Sequence, residues 1–471
     1  MSRRVLVAVA LAVGAWCAVA AAAPASRGGH VTADEPQYLL SAISLGEDRD
    51  LDISDERAEG RYRTFHRADL PVQELVRDDG SAVSPHDPLL PALLALPVLA
   101  GGWVGAKLAL AALAGALAAA LVWTAVVRLG VPTRHAVVGV LAFAAGAPLA
   151  FYGTQVYPEL PAALAVTLAV AALTGPMRGR GVVLLGACVV ALPWLAVKYA
   201  PVAAVLAALG AGRLARRGAW RSLAALGGAW AVAAVAFAAA HLAWYGGLTP
   251  YAAGDHFTGG ELTVMGTDPD YAGRAIRLVG LLVDRDFGLA AWHPAYLLAV
   301  PALAVLVRDR PRWWPVVVLP CLAGWLTATF VALTMHGWWW PGRQVVVVLP
   351  CVVLAVTWFA SARPGVRAVL AGLGVLGASV YAWLVAQAVS GDLTIVVTFE
   401  DVSHPLARAW RAVLPDYRDR DVTDWVLHGA WLAAIAAAVA GALVPGLRRR
   451  AHARSRWQGR PARIGTGVTS A

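Results

Sequence analysis

The sequence predicts an all-α, polytopic membrane protein with about 12 transmembrane helices (roughly 11 to 13). Only 14% of its 471 residues are charged and 59% are hydrophobic, whereas soluble domains carry about a quarter charged residues. Nearly uncharged runs, such as 108–127, 219–240 and 366–389, reach the roughly 20 residues that a spanning helix needs. Arginines fall in short clusters between these runs, as the positive-inside rule expects of cytoplasmic loops.

One set of spans places every arginine cluster in the cytoplasm, with both termini inside the cell. The predicted spans are 4–24, 104–127, 135–151, 158–175, 181–194, 196–211, 219–243, 288–307, 313–334, 343–361, 366–389 and 427–446.

The acidic residues indicate which face of the protein is functional. Of the 29 Asp and Glu residues, only Asp309 falls in a predicted cytoplasmic loop. Acids contribute little to the insertion rule itself. Their segregation therefore predicts an acidic, extracytoplasmic working face on a protein of the plasma membrane.

Three regions follow from this topology. Residues 1–245 form a membrane core with a first outer loop at 25–103, which we expect to carry interfacial helices. Residues 246–446 form a C-terminal membrane half with outer loops at 244–287 and 390–426, and 447–471 is a basic cytoplasmic tail that we expect to be disordered.

Two apolar stretches are ambiguous. Residues 88–102 are short and proline-rich, so we expect an interfacial or re-entrant segment. The first apolar run precedes AAAPAS and resembles a signal peptide. We expect it to stay as an uncleaved helix, because the chain that follows remains close to the membrane.

Several function classes are disfavoured. The net charge of +10 comes without a basic stripe interleaved with aromatics, so we expect no nucleic-acid partner. The four cysteines lie in apolar runs without CxxC spacing, and nucleotide-binding, GxSxG and HExxH motifs are lacking. Asp48, Asp50, Asp52 and Asp55 are spaced like an EF-hand loop, but the turn glycine is missing, which favours a solvated acidic loop.

Three acids are candidates for chemistry. Asp34 and Glu35 follow the first span, beside a predicted amphipathic helix with Tyr38, Leu39, Ile43 and Leu45. A carboxylate at a membrane boundary is partly desolvated and so can act as a base, although an acid before Pro36 is also a good helix cap. Glu159 is the lone acid of a short outer turn, which indicates function or a favourable helix N-terminus.

Two cations lie on the same predicted face. Lys198 is one of two lysines and lies in an apolar hairpin, while Arg343 opens a long apolar run. Both could snorkel towards lipid headgroups, or they could bind a lipid-linked phosphate. Acids to activate an acceptor together with cations to hold a phosphate suggest transfer from a lipid-phosphate donor.

Several segments resemble the GT-C glycosyltransferases, in particular bacterial relatives of protein O-mannosyltransferases and of the lipid A aminoarabinose transferase (glycosyltransferase family 39-like). The resemblance covers about residues 1–360, and the outer loop at 390–426 has no counterpart that we can place. The segments are ADEPQYL after the first span, SPHDPLLPALLALPVLAGG before the second, QVYPELPAAL, LAVKYAPVAA, LLVDRDFGLAAWHPAYLLAVPAL and HGWWWPGRQVVVVLP.

The resemblance implies an enzyme that takes a hexose or pentose from a polyprenyl-phosphate-linked sugar at the outer leaflet, surrounded by membrane lipid. The acceptor would be a cell-envelope glycan, lipid or protein, and the transfer would invert the anomeric centre. By the same resemblance Asp34 is the general base, Glu35 lies beside it, Glu159 is the second acid, and Lys198 and Arg343 face the donor phosphate. Further candidates to line the site are Tyr38, His86, Tyr157, Tyr199 and His336.

Some points stay open at this stage. Many relatives carry HPPG where this chain has His86-Asp87-Pro88-Leu89, which leaves the role of that loop undecided. The resembled group varies in its use of a divalent metal, and the sequence shows no diagnostic ligand set. A secondary transporter and a non-catalytic envelope scaffold remain alternatives, although we see no inverted repeat and few charges at mid-membrane.

Overall fold

The structure is a computed structural model that describes residues 1–254 and 269–444. The predicted tail at 447–471 lies outside these residues, as do Asp255, Glu261 and Asp268 of the outer loop predicted at 244–287. The described residues confirm the all-α class, since they form helices and isolated β-bridges but no β-strand.

The first half of the chain contains ten α-helices, and each apolar run predicted there is helical. They are α1 (Arg3–Ala18), α2 (Glu35–Glu47), α3 (Ser54–Ala58), α4 (Leu89–Val127), α5 (Thr133–Ala144), α6 (Leu149–Tyr152), α7 (Glu159–Thr174), α8 (Arg180–Leu195), α9 (Ala200–Ala215) and α10 (Trp220–Tyr245).

The second half is more interrupted, because many of its segments begin at prolines and glycines. Its α-helices are α11 (Tyr271–Arg274), α12 (Arg277–Val283), α13 (Leu289–Trp292), α14 (Ala299–Asp309), α15 (Trp314–Leu326), α16 (Leu349–Ser361), α17 (Pro364–Ser390), α18 (Pro405–Trp410) and α19 (Val422–Leu443). Short 3₁₀ segments are Arg61–Thr64, Val197–Tyr199, Pro250–Ala253, Pro294–Leu298, Arg343–Val348 and Phe399–Asp401, and Thr327–Val331 is a π-helical turn.

The protein is a multi-pass membrane protein. Seven helices of the described chain are long and apolar enough to cross a membrane by length and composition, and α5, α7 and α8 are shorter apolar helices. Each predicted span coincides with one helix or with consecutive helical segments. The described helices therefore fit the predicted fold of about 12 spans.

Burial distinguishes central helices from peripheral ones. α7 and α16 are buried on nearly every side, whereas α10 and α19 leave most of their apolar surface exposed. A helix that is apolar all round belongs either in a core or against lipid. We therefore place α7 and α16 in the centre of the bundle and the apolar surfaces of α10 and α19 against lipid.

Residues 89–100, within the stretch that the sequence predicts to be interfacial or re-entrant, are helical. They form the first arm of α4, which continues past non-helical backbone at Gly101 and Gly102. The φ of +57° at Gly102 is readily available only to glycine, which explains the position of this kink. α2 packs on the arm, with Gly46 against the Leu99 side chain.

α2 is not the amphipathic helix that the sequence predicts. Every residue from Glu35 to Ser44 is buried, including Tyr38, Leu39 and Ile43, whereas Leu45 is half-buried. The helix packs against α4, α3 and the 3₁₀ segment Arg61–Thr64. The four cysteines are unpaired and buried, as predicted.

α1 packs against α4 through a close approach of two backbones. A Cβ atom at Gly115 would lie 2.2 Å from the carbonyl oxygen of Ala10, which no side chain can tolerate without movement. Small residues at such crossings are typical of helix packing in membranes.

We therefore expect Gly115→Ala to lower the stability of the protein by about 1–3 kcal/mol, because the added methyl group separates α1 from α4. Gly227→Ala is the matched control, since a Cβ atom there meets nothing within 4 Å and lies on exposed α10. Thermal unfolding in detergent measures both variants. Equal transition temperatures for the two would contradict the close α1–α4 contact.

Candidate active site

Three of the five residues predicted to be catalytic or to bind the donor phosphate line one cavity of about 520 Å³: Asp34, Lys198 and Arg343. The cavity lies where the start of α2, the 3₁₀ turn Val197–Tyr199 and the 3₁₀ segment Arg343–Val348 meet. Other predicted residues that line it are Tyr38, His86 and Tyr199. Residues of its lining that the sequence did not indicate include Asp87, Thr249, Tyr251, Trp339 and Gln344.

Arg343 connects the two candidate acids. Its Nη1 lies 2.7 Å from Asp34 Oδ2, and its Nε lies 3.0 Å from Glu159 Oε1. The guanidinium stacks over the Tyr157 ring at 4.0 Å and faces the Trp339 ring at 4.9 Å. With a side chain only 7% exposed, Arg343 is held by ion pairs and aromatic rings and does not snorkel to headgroups.

Glu159 is the fully buried member of the cluster. Its Oε1 accepts from Lys198 Nζ at 2.8 Å and from Arg343 Nε at 3.0 Å. Glu159 thus positions both cations, and both cations line the cavity. Lys198 keeps 23% of its side chain exposed, so it can still meet a ligand.

Asp34 does not cap α2, although it is the residue before the helix, because its side chain makes no capping hydrogen bond. Its carboxylate faces Arg343 and lies 3.8 Å from His86 Nε2. Burial raises the pKa of Asp34, but the charge of Arg343 and the neighbouring His86 outweigh burial and hold that pKa below its ordinary value. Asp34 is therefore ionised in the resting site.

Glu35 plays a different part from its neighbour. Its Oε1 accepts from the Val156 N–H at 2.6 Å and its Oε2 accepts from the Thr32 N–H at 2.9 Å. Burial raises the pKa of Glu35 above its ordinary value, against the effect of these donors. The residue ties the start of α2 to the turn that carries Glu159, and it does not line the cavity.

Asp87 and His241 were not among the predicted site residues. Asp87 Oδ1 lies 3.1 Å from His241 Nε2 in α10, and its Oδ2 accepts from the Val197 N–H at 2.8 Å. Since Val197 precedes Lys198, this carboxylate fixes the turn that presents the lysine. The sequence did hold a signal: an acid where many of the resembled proteins carry proline, and a single histidine directly after the apolar run 223–240.

His86 and its neighbours complete this side of the cavity. Its Nδ1 lies 2.8 Å from the Ser84 hydroxyl, and the Tyr245 hydroxyl donates to its carbonyl oxygen at 2.8 Å. The Tyr38 ring lies 4.5 Å from the imidazole. The histidine is therefore held with Nε2 towards Asp34.

Two other predicted lining residues lie elsewhere. Tyr157 lies beneath the Arg343 guanidinium, outside the cavity lining, and its hydroxyl is 3.3 Å from the Thr32 carbonyl oxygen. His336 lies 3.5 Å from Asp284 and does not line the cavity. Asp284 in turn accepts from the Phe287 and Tyr417 N–H groups, so His336 belongs to a separate outer-loop network.

No metal centre is indicated in the cavity. Among the residues that the structure describes, the one group of three His, Cys, Asp or Glu side chains close enough to share an ion is Asp48, Asp55 and Glu56, and none of them lines the cavity. The charged side chains that line the cavity include the carboxylate of Asp34 and the cations Lys198 and Arg343.

The comparisons with known proteins give one structural match. No family model matches the sequence, and no curated protein matches it. The crystal structure of ArnT from Cupriavidus metallidurans bound to undecaprenyl phosphate is similar, with 16% identity and a TM-score of 0.47 over 93% of this chain and 71% of that chain. A similarity of this size fixes neither the substrate nor the site residues of this chain.

Asp87 should matter for stability in a graded way. We expect Asp87→Ala to cost about 1–3 kcal/mol, because the half-buried Val197 N–H loses its acceptor and the buried His241 loses its partner. Asp87→Asn should cost less, since the amide oxygen can still accept one of these bonds. Thermal unfolding in detergent ranks the two variants and the unmodified protein by stability.

Asp79→Ala is the control for this series, because Asp79 is exposed and binds only Ser81. If Asp87→Ala and Asp79→Ala lower the transition temperature equally, the buried acceptor has no special role.

Proposed function

We propose that this protein is a membrane glycosyltransferase that moves a sugar from a polyprenyl-phosphate donor to a hydroxyl group of a cell-envelope acceptor at the extracytoplasmic face. The observation that carries the proposal is the gathering of one partly exposed carboxylate, Asp34, and two cations, Lys198 and Arg343, around one cavity. A base for the acceptor and a cationic site for the leaving phosphate are the two requirements of this reaction.

The lining of the cavity suits a donor with an apolar carrier. Beside the charged residues, it includes apolar side chains from the π-helical turn and the segment after it, among them Ala328, Val331 and Leu333. A lipid-linked phosphate needs cations and apolar surface in contact with each other. This cavity offers both.

The reaction follows from the charges. The acceptor hydroxyl attacks the anomeric carbon while Asp34 takes its proton, and the bond from that carbon to the phosphate oxygen breaks. The electron pair leaves with the polyprenyl phosphate, whose extra negative charge Lys198 and Arg343 stabilise. An arriving phosphate competes with Asp34 for Arg343, which raises the basicity of Asp34 when the donor is bound.

The stereochemical outcome is part of the proposal. Glu159 is fully buried and holds Lys198 and Arg343, so it is unavailable as a nucleophile. Asp34 alone is placed to act as a base, which favours a single displacement with inversion. Contacts between the cavity and the bound sugar determine whether the enzyme transfers a hexose or a pentose.

The outward orientation rests on the predicted topology. The cavity lies at the ends of predicted spans that face away from the arginine-rich loops. We therefore propose that both termini are cytoplasmic and that the cavity opens to the outside.

The roles of base and cations can be separated by experiment. We expect Asp34→Asn to abolish sugar transfer but to retain binding of undecaprenyl phosphate, because the amide cannot take the proton while both cations remain. Arg343→Gln and Lys198→Gln should weaken that binding at least about tenfold, since each loses a charge-assisted bond. Transfer is measured with a radiolabelled lipid-linked sugar pool, and binding is measured by titration of the purified protein.

Asp419→Asn removes an exposed acid from a distant loop and should leave both properties unchanged. Full transfer by Asp34→Asn would contradict the assignment of Asp34 as the base. Unchanged phosphate binding by both cation variants would contradict the assignment of Lys198 and Arg343 to the donor site.

The pH dependence gives a second test. Because the pKa of Asp34 lies below its ordinary value, the base stays ionised on acidification, and kcat/KM should begin to fall only below about pH 4. In Arg343→Gln only His86 offsets the effect of burial on the pKa of Asp34, so the acidic limb of the residual activity should move to higher pH. Lys198 contacts Glu159 and not Asp34. Lys198→Gln should therefore lower activity but shift the acidic limb of the pH profile much less. Identical acidic limbs in all three proteins would contradict control of Asp34 by Arg343.

A further inference from the structure

Three carboxylates approach one another on the first outer loop, away from the cavity. Asp48, Asp55 and Glu56 each offer one oxygen within 4.8 Å of the others. Asp48 and Asp55 are exposed, whereas Glu56 is only 2% exposed.

The backbone brings these residues together without needing an ion. Asp48 ends α2, and Arg49 adopts a φ of +70°, which reverses the chain at a cost to a non-glycine residue. Asp52 Oδ1 then accepts from the Ser54 N–H at 3.0 Å and the Ala82 N–H at 2.8 Å, which fixes the start of α3. α3 carries Asp55 and Glu56 back beside the end of α2.

Glu56 is the residue that points to a ligand. Both of its carboxylate oxygens are buried, and neither has a hydrogen-bond partner. A buried carboxylate without a partner is costly in free energy, so such groups are normally paired or bound to a metal.

Among the residues that the structure describes, no basic side chain forms an ion pair with the three carboxylates. Within residues 1–254 and 269–444, no basic side chain lies within 4.0 Å of the three carboxylates. Arg61 is nearby but pairs with Glu47 at 2.5 Å and with Glu59 at 3.5 Å. Asp48 also lies at the C-terminus of α2, where the helix dipole disfavours negative charge.

We propose that Asp48, Asp55 and Glu56 bind a divalent cation, and that ligands consisting only of carboxylate oxygens favour Ca²⁺. Water molecules complete its coordination, since three side chains supply fewer oxygens than Ca²⁺ takes. The ion joins the end of α2 to α3 and so stabilises the helix whose other end carries Asp34. The site is independent of the proposed transferase activity.

The site differs from the EF-hand spacing in the sequence. Asp50 accepts from the Ser44 hydroxyl and the Asp52 N–H, and Asp52 binds the Ser54 and Ala82 N–H groups. These two acids stabilise the turn. The proposed ligands are instead the acid at the end of α2 and the adjacent pair in α3.

The test uses the full-length protein purified in detergent and stripped of metal with a chelator. We expect calorimetric titration with CaCl₂ to show one site per chain, with a Kd of about 10⁻⁴–10⁻³ M or tighter, as in extracellular calcium modules. Calcium should also raise the unfolding temperature. Glu56→Gln should weaken binding at least about tenfold and abolish that rise, because it removes the buried ligand charge.

Asp78→Asn is the matched control, because it removes one exposed charge from the same loop and should bind calcium like the unmodified protein. Glu56→Gln should fold at least as well as the metal-free protein, since it replaces an unpaired buried carboxylate by a neutral group of the same shape. The absence of binding up to about 5 mM CaCl₂, or unchanged binding by Glu56→Gln, would overturn the proposal.

Discussion

The buried guanidinium of Arg343 holds the candidate site together. It lies between Asp34 at the start of α2 and Glu159 at the start of α7, and it rests on the Tyr157 ring. Three segments that are distant in the sequence therefore meet at one charge. Loss of one partner from a buried pair leaves the other uncompensated, at a cost of about 3–5 kcal/mol. This penalty explains why the outer turn, the first outer loop and the segment before α16 share a single arrangement.

Two carboxylates are paired with two cations at the resting site, and this balance bears on how a donor could bind. Asp34 and Glu159 offset Lys198 and Arg343. An anionic donor would disturb that balance, and the weakest link is the pair that faces the cavity, Arg343 with the partly exposed Asp34. Glu159 is buried behind both cations and can keep them in place while Asp34 is released. In the proposed reaction, the ion pair with Arg343 would keep Asp34 ionised before the donor binds, and its separation would then leave Asp34 able to accept a proton.

Seven acids around α2 and the cavity fall into three physical groups. Asp34 and Glu159 are paired with cations. Glu35 and Asp87 bind backbone N–H groups and hold the segments on either side of the cavity. Glu56, with Asp48 and Asp55, has neither kind of partner within the described chain. Only the third group calls for a ligand from outside the protein, which is why it carries the calcium proposal.

The sequence by itself determined the all-α membrane class, the positions of the apolar helices and the short list of charged residues around the cavity, because a bilayer penalises every charge without a function or a partner. It could not determine that Glu35 accepts hydrogen bonds from the backbone while its neighbour Asp34 pairs with Arg343. Adjacent side chains at the start of a helix point in different directions, and the sequence does not show what each of them meets. It also missed Asp87 and His241, which are 154 positions apart and pair only when α10 packs beside the first outer loop. Tertiary structure decided these roles, because an ion pair or hydrogen bond depends on a few ångströms that sequence spacing does not encode.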